Sequence, residues 1–259
     1  MKKQFETNTY SVKCKDLPQA FDGFKIALVS DLHDWDYQGR LEDVLRQVKP
    51  DMIALVGDIV QRRFEGHHLE TLFRNFVSIA PTYYVSGNHE ARIKMLDKIL
   101  DSIANTGCVV LEDKLTTFLK GGSQIVIMGQ SDVQRHKHLD MSKKKIYKQK
   151  LLNLLKKCEV FPQPCFKILL AHRPEYFEYY ADKGVNLSLS GHVHGGQIRI
   201  MNRALYGLNQ GFFPKYSAGL YTRGSNSIVV SRGLGHTKYT PLRVNNTPEL
   251  AIVELNLDV

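Results

Sequence analysis

Five short motifs carry residue types that bind metal ions: Asp31-Leu32-His33, Gly57-Asp58, Gly87-Asn88-His89-Glu90, Ala171-His172 and Gly191-His192-Val193-His194. Imidazole and carboxylate together suit divalent first-row cations such as Mn, Fe, Zn or Ni. Five of the ten histidines fall in these motifs, a concentration that points to one shared site. Residues two apart face the same side of an extended strand, so Asp31 and His33 are expected to reach one ion together. His192 and His194 have the same spacing, but the turn at Gly195-Gly196 would let them serve neighbouring ions. Asp58 stands alone on its predicted strand and is the natural carboxylate to bridge two ions. Glycines at 57, 87 and 191 would let the backbone come close to the ions or to a phosphate.

The chemistry such a set supports is displacement at phosphorus. Two ions about 3.5–4 Å apart can clamp the attacking and leaving oxygens of an in-line reaction. A water between them becomes hydroxide near neutral pH, which removes the need for a protein nucleophile. His89, next to Asn88, is expected to project past the ions and protonate the leaving oxygen. A nearby carboxylate would orient it. Glu90 is one candidate, although a carboxylate at a helix start equally complements the helix dipole.

The elements that must position these groups alternate along the chain. Short apolar runs at 25–30, 51–56 and 81–85 read as buried strands, each ending at a motif, with helical spacing at 40–49, 69–79 and 91–105 between them. Strands are predicted at 108–111, 115–119 and 124–128, the last two joined by a hairpin turn at 120–123. A polar, basic stretch from 133 to 150 runs into a helix that reaches Cys158. A strand at 166–171 ends at His172, a helix follows at 175–183, and a strand at 187–190 leads into Gly191. A glycine- and aromatic-rich loop is expected from 206 to 224, then strands at 227–231 and 249–255. Strands alternating with helices imply βαβ units in mixed or parallel sheets, and ligands then gather at the carboxyl ends of strands. No linker splits the chain, so residues 1–259 are read as one domain.

Composition narrows the class. Hydrophobic residues make up 43% and charged residues 24%, ordinary for a folded domain. The formal charge of +9 favours an anionic partner without choosing among phosphate compounds, nucleic acid and acidic lipid. Cys14, Cys108, Cys158 and Cys165 form no C-x-x-C pair, so a zinc knuckle and a dense disulfide framework are both disfavoured, and buried free thiols are expected. No apolar run approaches the roughly 20 residues needed to span a bilayer. Met1-Lys2-Lys3 is followed by no apolar segment. The sequence as it stands therefore reads as cytoplasmic, and as membrane-associated or exported if a leader precedes it.

The motifs in this order resemble those of the calcineurin-like metallophosphoesterases: D-x-H, GD, GNH[DE], H and GHxH, here DLH, GD, GNHE, AH and GHVH. The resemblance implies an α/β fold, a four-layer αββα sandwich of two mixed β-sheets flanked by helices. It implies two divalent ions, Mn first among the alternatives. One would take Asp31, His33, Asp58 and His194; the second would take Asp58, Asn88, His172 and His192. His89 would be the acid in contact with phosphate. Gly191 to Gln197, Ser231-Arg232-Gly233-Leu234-Gly235 and Pro248-Glu249-Leu250 resemble the bacterial YkuE-like phosphodiesterases, which are similar to UDP-2,3-diacylglucosamine pyrophosphatases. The substrate expected is thus a phosphodiester or pyrophosphate, nucleotide-linked or lipid-linked, with peripheral membrane contact in the second case. A nuclease or cyclic-nucleotide phosphodiesterase is the alternative, although no nucleic-acid-binding motif is visible. A non-catalytic interaction scaffold that keeps the fold is the alternative of another class.

Other conspicuous residues have plainer readings. His67-His68, His136, His138 and His236 are expected in solvated loops, and Lys143-Lys144-Lys145 on an exposed helix start. Phe212-Phe213, Tyr216 and Tyr221 are expected beneath the long loop as core, with an apolar rim for an acyl chain or base as the rival reading. Trp35 could equally flank the cleft or pack. No substrate-binding residue or oligomeric state is legible.

Overall fold

The protein is described by a computed structural model covering residues 4–61, 66–136, 142–207, 209–236 and 243–258. His138 lies outside these residues, as do the side chains of His67, His68, His136 and Lys143.

The strands are β1 (Glu6–Cys14), β2 (Phe24–Val29), β3 (Met52–Val56), β4 (Thr82–Val85), β5 (Val109–Val110), β6 (Lys114–Lys120), β7 (Ser123–Gln130), β8 (Lys167–Ala171) and β9 (Leu187–Ser190). Four two-residue strands follow: β10 (Arg199–Ile200), β11 (Arg203–Ala204), β12 (Tyr206–Gly207) and β13 (Gly211–Phe212). The last three are β14 (Gly219–Arg223), β15 (Asn226–Val230) and β16 (Glu249–Leu257). The α-helices are α1 (Arg40–Val48), α2 (Gly66–Ile79), α3 (Leu96–Ala104), α4 (Lys143–Cys158) and α5 (Phe177–Asp182).

Two six-stranded mixed sheets result, in the orders β1-β16-β2-β3-β4-β5 and β14-β15-β9-β8-β7-β6. In the first, β2, β3, β4 and β5 are parallel neighbours, while β16 runs antiparallel to β2 and parallel to β1. In the second, β15, β9, β8 and β7 are parallel, with β14 and β6 antiparallel at the edges.

Alternation along the strands builds the layers. Ala27, Val29, Ile53 and Leu55 pack with Leu41 and Leu45 of α1, Phe73 and Phe76 of α2, and Ile99 and Ile103 of α3. Their neighbours in sequence, Ile26, Leu28, Ala54 and Val56, face the other way, onto Ile125, Ile127, Ile168 and Leu170 of the second sheet. The outer face of that sheet (Val126, Met128, Leu169) receives Leu151 and Leu154 of α4. This is the four-layer αββα arrangement, and each strand of period two serves two cores. The helices show the matching stripe: Leu41 and Leu45 are buried one turn apart, and α1 stops at left-handed Lys49 before Pro50.

Three expected elements differ. The helix expected over 91–105 is a 3-10 turn at Glu90–Arg92, a break with extended Ile93, and α3 proper. The first turn is held back by Glu90, whose side chain is tied to the loop after β3 (below). The helix expected at 175–183 likewise divides into a 3-10 turn, Pro174–Tyr176, and the short α5. The long loop at 206–224 contains the hairpin of β12 and β13 and the edge strand β14. All four cysteines are free and buried. No described helix is long and apolar enough to cross a membrane.

Candidate metal centre

All eight predicted site residues lie just beyond strand ends and come together on one rim. Asp31 and His33 follow β2, Asp58 follows β3, Asn88 and His89 follow β4, His172 follows β8, and His192 and His194 follow β9. Within each sheet parallel neighbours present their carboxyl ends side by side, and the two sheets stack face to face with these ends together, so Asp31 after β2 and His192 after β9, 161 apart in sequence, are hydrogen-bonded.

The local mechanism is not the alternation expected for Asp31 and His33. Both have left-handed backbone, φ 50° and 52°, as do Asp58 (54°), His192 (73°) and His194 (50°). A non-glycine residue there costs on the order of 1–3 kcal/mol and persists only where its surroundings dictate it. Here the loops after β2 and β3 are zipped together by Asp31 N–H to Gly57 O, His33 N–H to Asp58 O and Asp34 N–H to Ile59 O, each 3.0 Å. Glycine permits the close approach: a Cβ on Gly87 would lie 2.2 Å from Asp58 Oδ1, and one on Gly191 would lie 2.3 Å from Asp31 Oδ2. These two glycines thus admit the carboxylates themselves.

Three ligand clusters result: Asp31, His33 and His194; Asp58, His172 and His192; and His33, Asp58 and His89. Within each, one candidate ligand atom per residue lies within 4.8 Å of the others. His33 Nε2 and His194 Nε2 are 3.1 Å apart, and His194 Nε2 is 3.3 Å from Asp31 Oδ1. His172 Nδ1 lies 2.9 Å from Val56 O; a carbonyl only accepts, so Nδ1 carries the proton. Nε2 thereby faces Asp58 Oδ2, 3.2 Å away, and Asp31 Oδ1 at 3.8 Å.

The electrostatics suit a cation. Burial pushes Asp31 up to about 6, with His172 pulling down and Asp58 adding to the rise. Burial opposes ionisation of Asp58 too, but His172, His33 and His89 outweigh it and hold that carboxyl well below its usual range. Burial alone would lower His172; the two carboxylates win and raise it to about 10. Burial pushes His33 down to about 4, and His192 and His194 well below the ordinary histidine value. A divalent metal would displace the proton of His172 and join neutral His33, His192 and His194 with the two carboxylates as its donor set. Asn88 Oδ1 is buried with no hydrogen-bond partner, a bond that ligation would supply.

His89 differs from its neighbours. It is only partly buried, its Nε2 is 4.0 Å from Asp58 Oδ2, and its ring meets His33 edge-on at 4.7 Å. Glu90 fits neither role expected for it. Fully buried, it accepts from Asp58 N–H (2.9 Å) and Gly87 N–H (3.0 Å) on Oε2, and from Ile59 N–H (2.6 Å) and Val60 N–H (3.1 Å) on Oε1. It is the brace that fixes two ligand loops to each other.

Several supporting residues gave no signal in sequence. Buried Arg173, paired with Asp132 at 2.6 Å, brings Nη1 to 3.1 Å from His192 Nε2, and Asn209 Nδ2 comes to 2.9 Å of the same nitrogen. Asn246 donates to His194 O at 2.7 Å. Behind Asp31 runs the segment 231–235: Leu234 N–H bonds Ser30 O, and Gly235 N–H bonds Asp31 O at 2.7 Å. Buried Glu249 secures that segment through Arg232 N–H (3.0 Å) while accepting from Tyr10 and Asn8. Two sequence stretches that carried the finer resemblance are therefore a buttress for the Asp31 loop. Trp35 packs on the first core with its ring 4.9 Å from that of His236. Tyr216 is buried and Tyr221 packs beside it, but Phe212 and Phe213 are exposed, contrary to the expectation of core.

Comparison with known proteins agrees with this geometry. The family model described as calcineurin-like phosphoesterase matches residues 24–196. The chain is 32% identical to the metallophosphoesterase YkuE of Bacillus subtilis, covering 96% of this chain and 85% of that protein. It is 28% identical to the phosphodiesterase YaeI of Escherichia coli, covering 90% and 82%. Among solved structures, TT1561 of Thermus thermophilus shares the fold with a TM-score of 0.56 at 15% identity, over 82% of this chain and 90% of that one. The phosphopantetheinyl hydrolase of Mycobacterium tuberculosis does so with 0.52 at 11%, over 81% and 89%.

Proposed function

This chain belongs to the calcineurin-like phosphoesterase family of hydrolases, and we propose that it cleaves a phosphodiester or pyrophosphate bond with the help of two divalent cations. The observation that carries the reading is the pair of ligand clusters placed side by side, one of Asp31, His33 and His194, the other of Asp58, His172 and His192. Asp58 lies between them, 3.2 Å from His172 and with its carboxylate within 4.8 Å of His33, so it is the residue that would hold both cations. Asn88, whose buried amide oxygen lacks a partner, completes the second set. The cations, when bound, supply Lewis-acid activation of the phosphoryl group and of the attacking water.

The protein's own part is to orient and to move a proton. His89 stands at the open edge of the cluster, and Asp58 Oδ1 receives its backbone N–H at 2.8 Å. Its ring would donate a proton to the leaving oxygen. Manganese is the first candidate metal, with iron, zinc or nickel as alternatives.

Elemental analysis of the purified protein should find two metal equivalents, and hydrolysis of an aryl phosphodiester should vanish on chelation and return on addition of Mn. His89→Ala should keep both metals and lose at least about 10²-fold in turnover, the scale of a general acid. Full turnover in His89→Ala would remove the acid assignment, and metal-independent hydrolysis would remove the whole reading.

A further inference from the structure

The net charge of +9 is not spread over the chain. Residues 183–248 hold eight Lys or Arg and no Asp or Glu, so this one segment accounts for nearly all of the excess. The same segment carries the densest group of exposed apolar side chains among the described residues. Met201 is 94% exposed, Phe212 71% and Phe213 69%, with Ile200 and Tyr206 also exposed. They project from two consecutive hairpins, β10–β11 and β12–β13, joined through Leu205. Monomeric proteins rarely leave such a patch uncovered without a partner for it.

We propose that these two hairpins are a docking surface for an anionic phospholipid bilayer, and that docking brings the metal centre to the lipid headgroups. Large apolar tips flanked by cations are the composition of an interfacial anchor. Arg203 is exposed beside Met201, and Arg199 lies on the paired strand. Lys215 and Arg223 are tied to Glu178 and Asp182, so Arg199 and Arg203 supply the local positive charge. Two features link the hairpins rigidly to the site. Gly196 of the turn after His194 packs on Ala204 so closely that a Cβ would meet the alanine methyl at 2.3 Å. Asn209, in the turn of the second hairpin, touches His192 at 2.9 Å. A surface held by Met201 and Phe212 is therefore held next to the ligand histidines.

The test needs no turnover, so it stands apart from the hydrolytic reading. The full chain is floated with vesicles of phosphatidylcholine alone and of phosphatidylcholine containing phosphatidylglycerol. It should bind the anionic vesicles, less so as salt is raised to about 0.5 M. Phe212→Ser with Phe213→Ser should lower binding at least about tenfold, and Met201→Ser, at a position too exposed to unfold the chain, should lower it severalfold. Arg203→Glu should lower it about fivefold or more. Leu119→Ser, exposed on the remote edge strand β6, should change nothing, and hydrolysis of a soluble aryl phosphodiester should be equal in all variants. Absence of binding to anionic vesicles overturns the proposal, as does an equal loss in Leu119→Ser. So does a halving of solution mass in the double Phe variant, which would assign the patch to a second copy of the chain.

Discussion

The inter-sheet core and the rim above it obey opposite rules. In the core, Ile26, Leu28, Ala54 and Val56 alternate with residues of the outer layer, are wholly buried, and face Ile127 and Ile168. At the rim, a few residues further along the same strands, Asp31, His33 and Asp58 are equally buried but ionisable, and their backbones are left-handed. The core gains free energy from the apolar surface it buries, and the rim spends part of it. The two are joined at places such as His172, which follows the apolar Ala171 of β8 and takes its orientation from Val56 O of the facing sheet. A site assembled from five loops is accurate because the strands beneath it cannot shift without disturbing close packing.

That contrast can be broken or sharpened by substitution. Glu90→Ala should be the most damaging change at the rim. It strands four buried backbone N–H groups and should cost on the order of 4 kcal/mol or more, with loss of metal, read by denaturant unfolding and elemental analysis. Asp58→Asn should cost function and stability together. Turnover should fall at least about 10³-fold and metal content should drop, and the melting temperature of the metal-free protein should fall as well, because the carboxylate that offsets His172 is gone. An unchanged or raised melting temperature would show that this buried pair adds nothing to the fold. Leu28→Ala should separate the two, losing about 2–5 kcal/mol of stability with turnover per folded molecule retained. Chelation of the wild type should lower stability by about 2–3 kcal/mol for metal held near a hundredfold over its dissociation constant, as differential scanning would record. The smallest effect should come from Tyr37→Phe, which removes a 2.6 Å hydrogen bond to Leu234 O in the buttress; about 1 kcal/mol and a slight change in metal affinity are expected.

The parts of this molecule readable from sequence are those with short-range signatures. Strands such as 52–56 show as apolar runs, and the ligands show because His and Asp at strand ends are rare and chemically specific. What supports them does not show. Glu90 braces residues 58–60 from about 30 positions away, and Arg173 and Asn209 meet at His192 only once β9 and the second hairpin are in place. Residue type also misleads where function overrides it: Phe212 and Phe213 have core composition and lie outside. The left-handed backbone of Asp31 and Asp58 is equally invisible, since neither residue is glycine and the conformation is imposed by bonds between residues 25 or 26 positions apart.

The place of β16 has a bearing on how the protein is made. It is the strand nearest the carboxyl end, yet it lies inside the first sheet, between β1 and β2. A ribosome delivers it after every candidate ligand has already emerged, so during synthesis the first two strands wait with a gap between them. Glu249 at its start also secures the segment behind Asp31. Docking of the Asp31 loop is thus deferred until residue 249 has been made, and a chain truncated before that residue would carry all seven candidate ligands without the buttress behind Asp31.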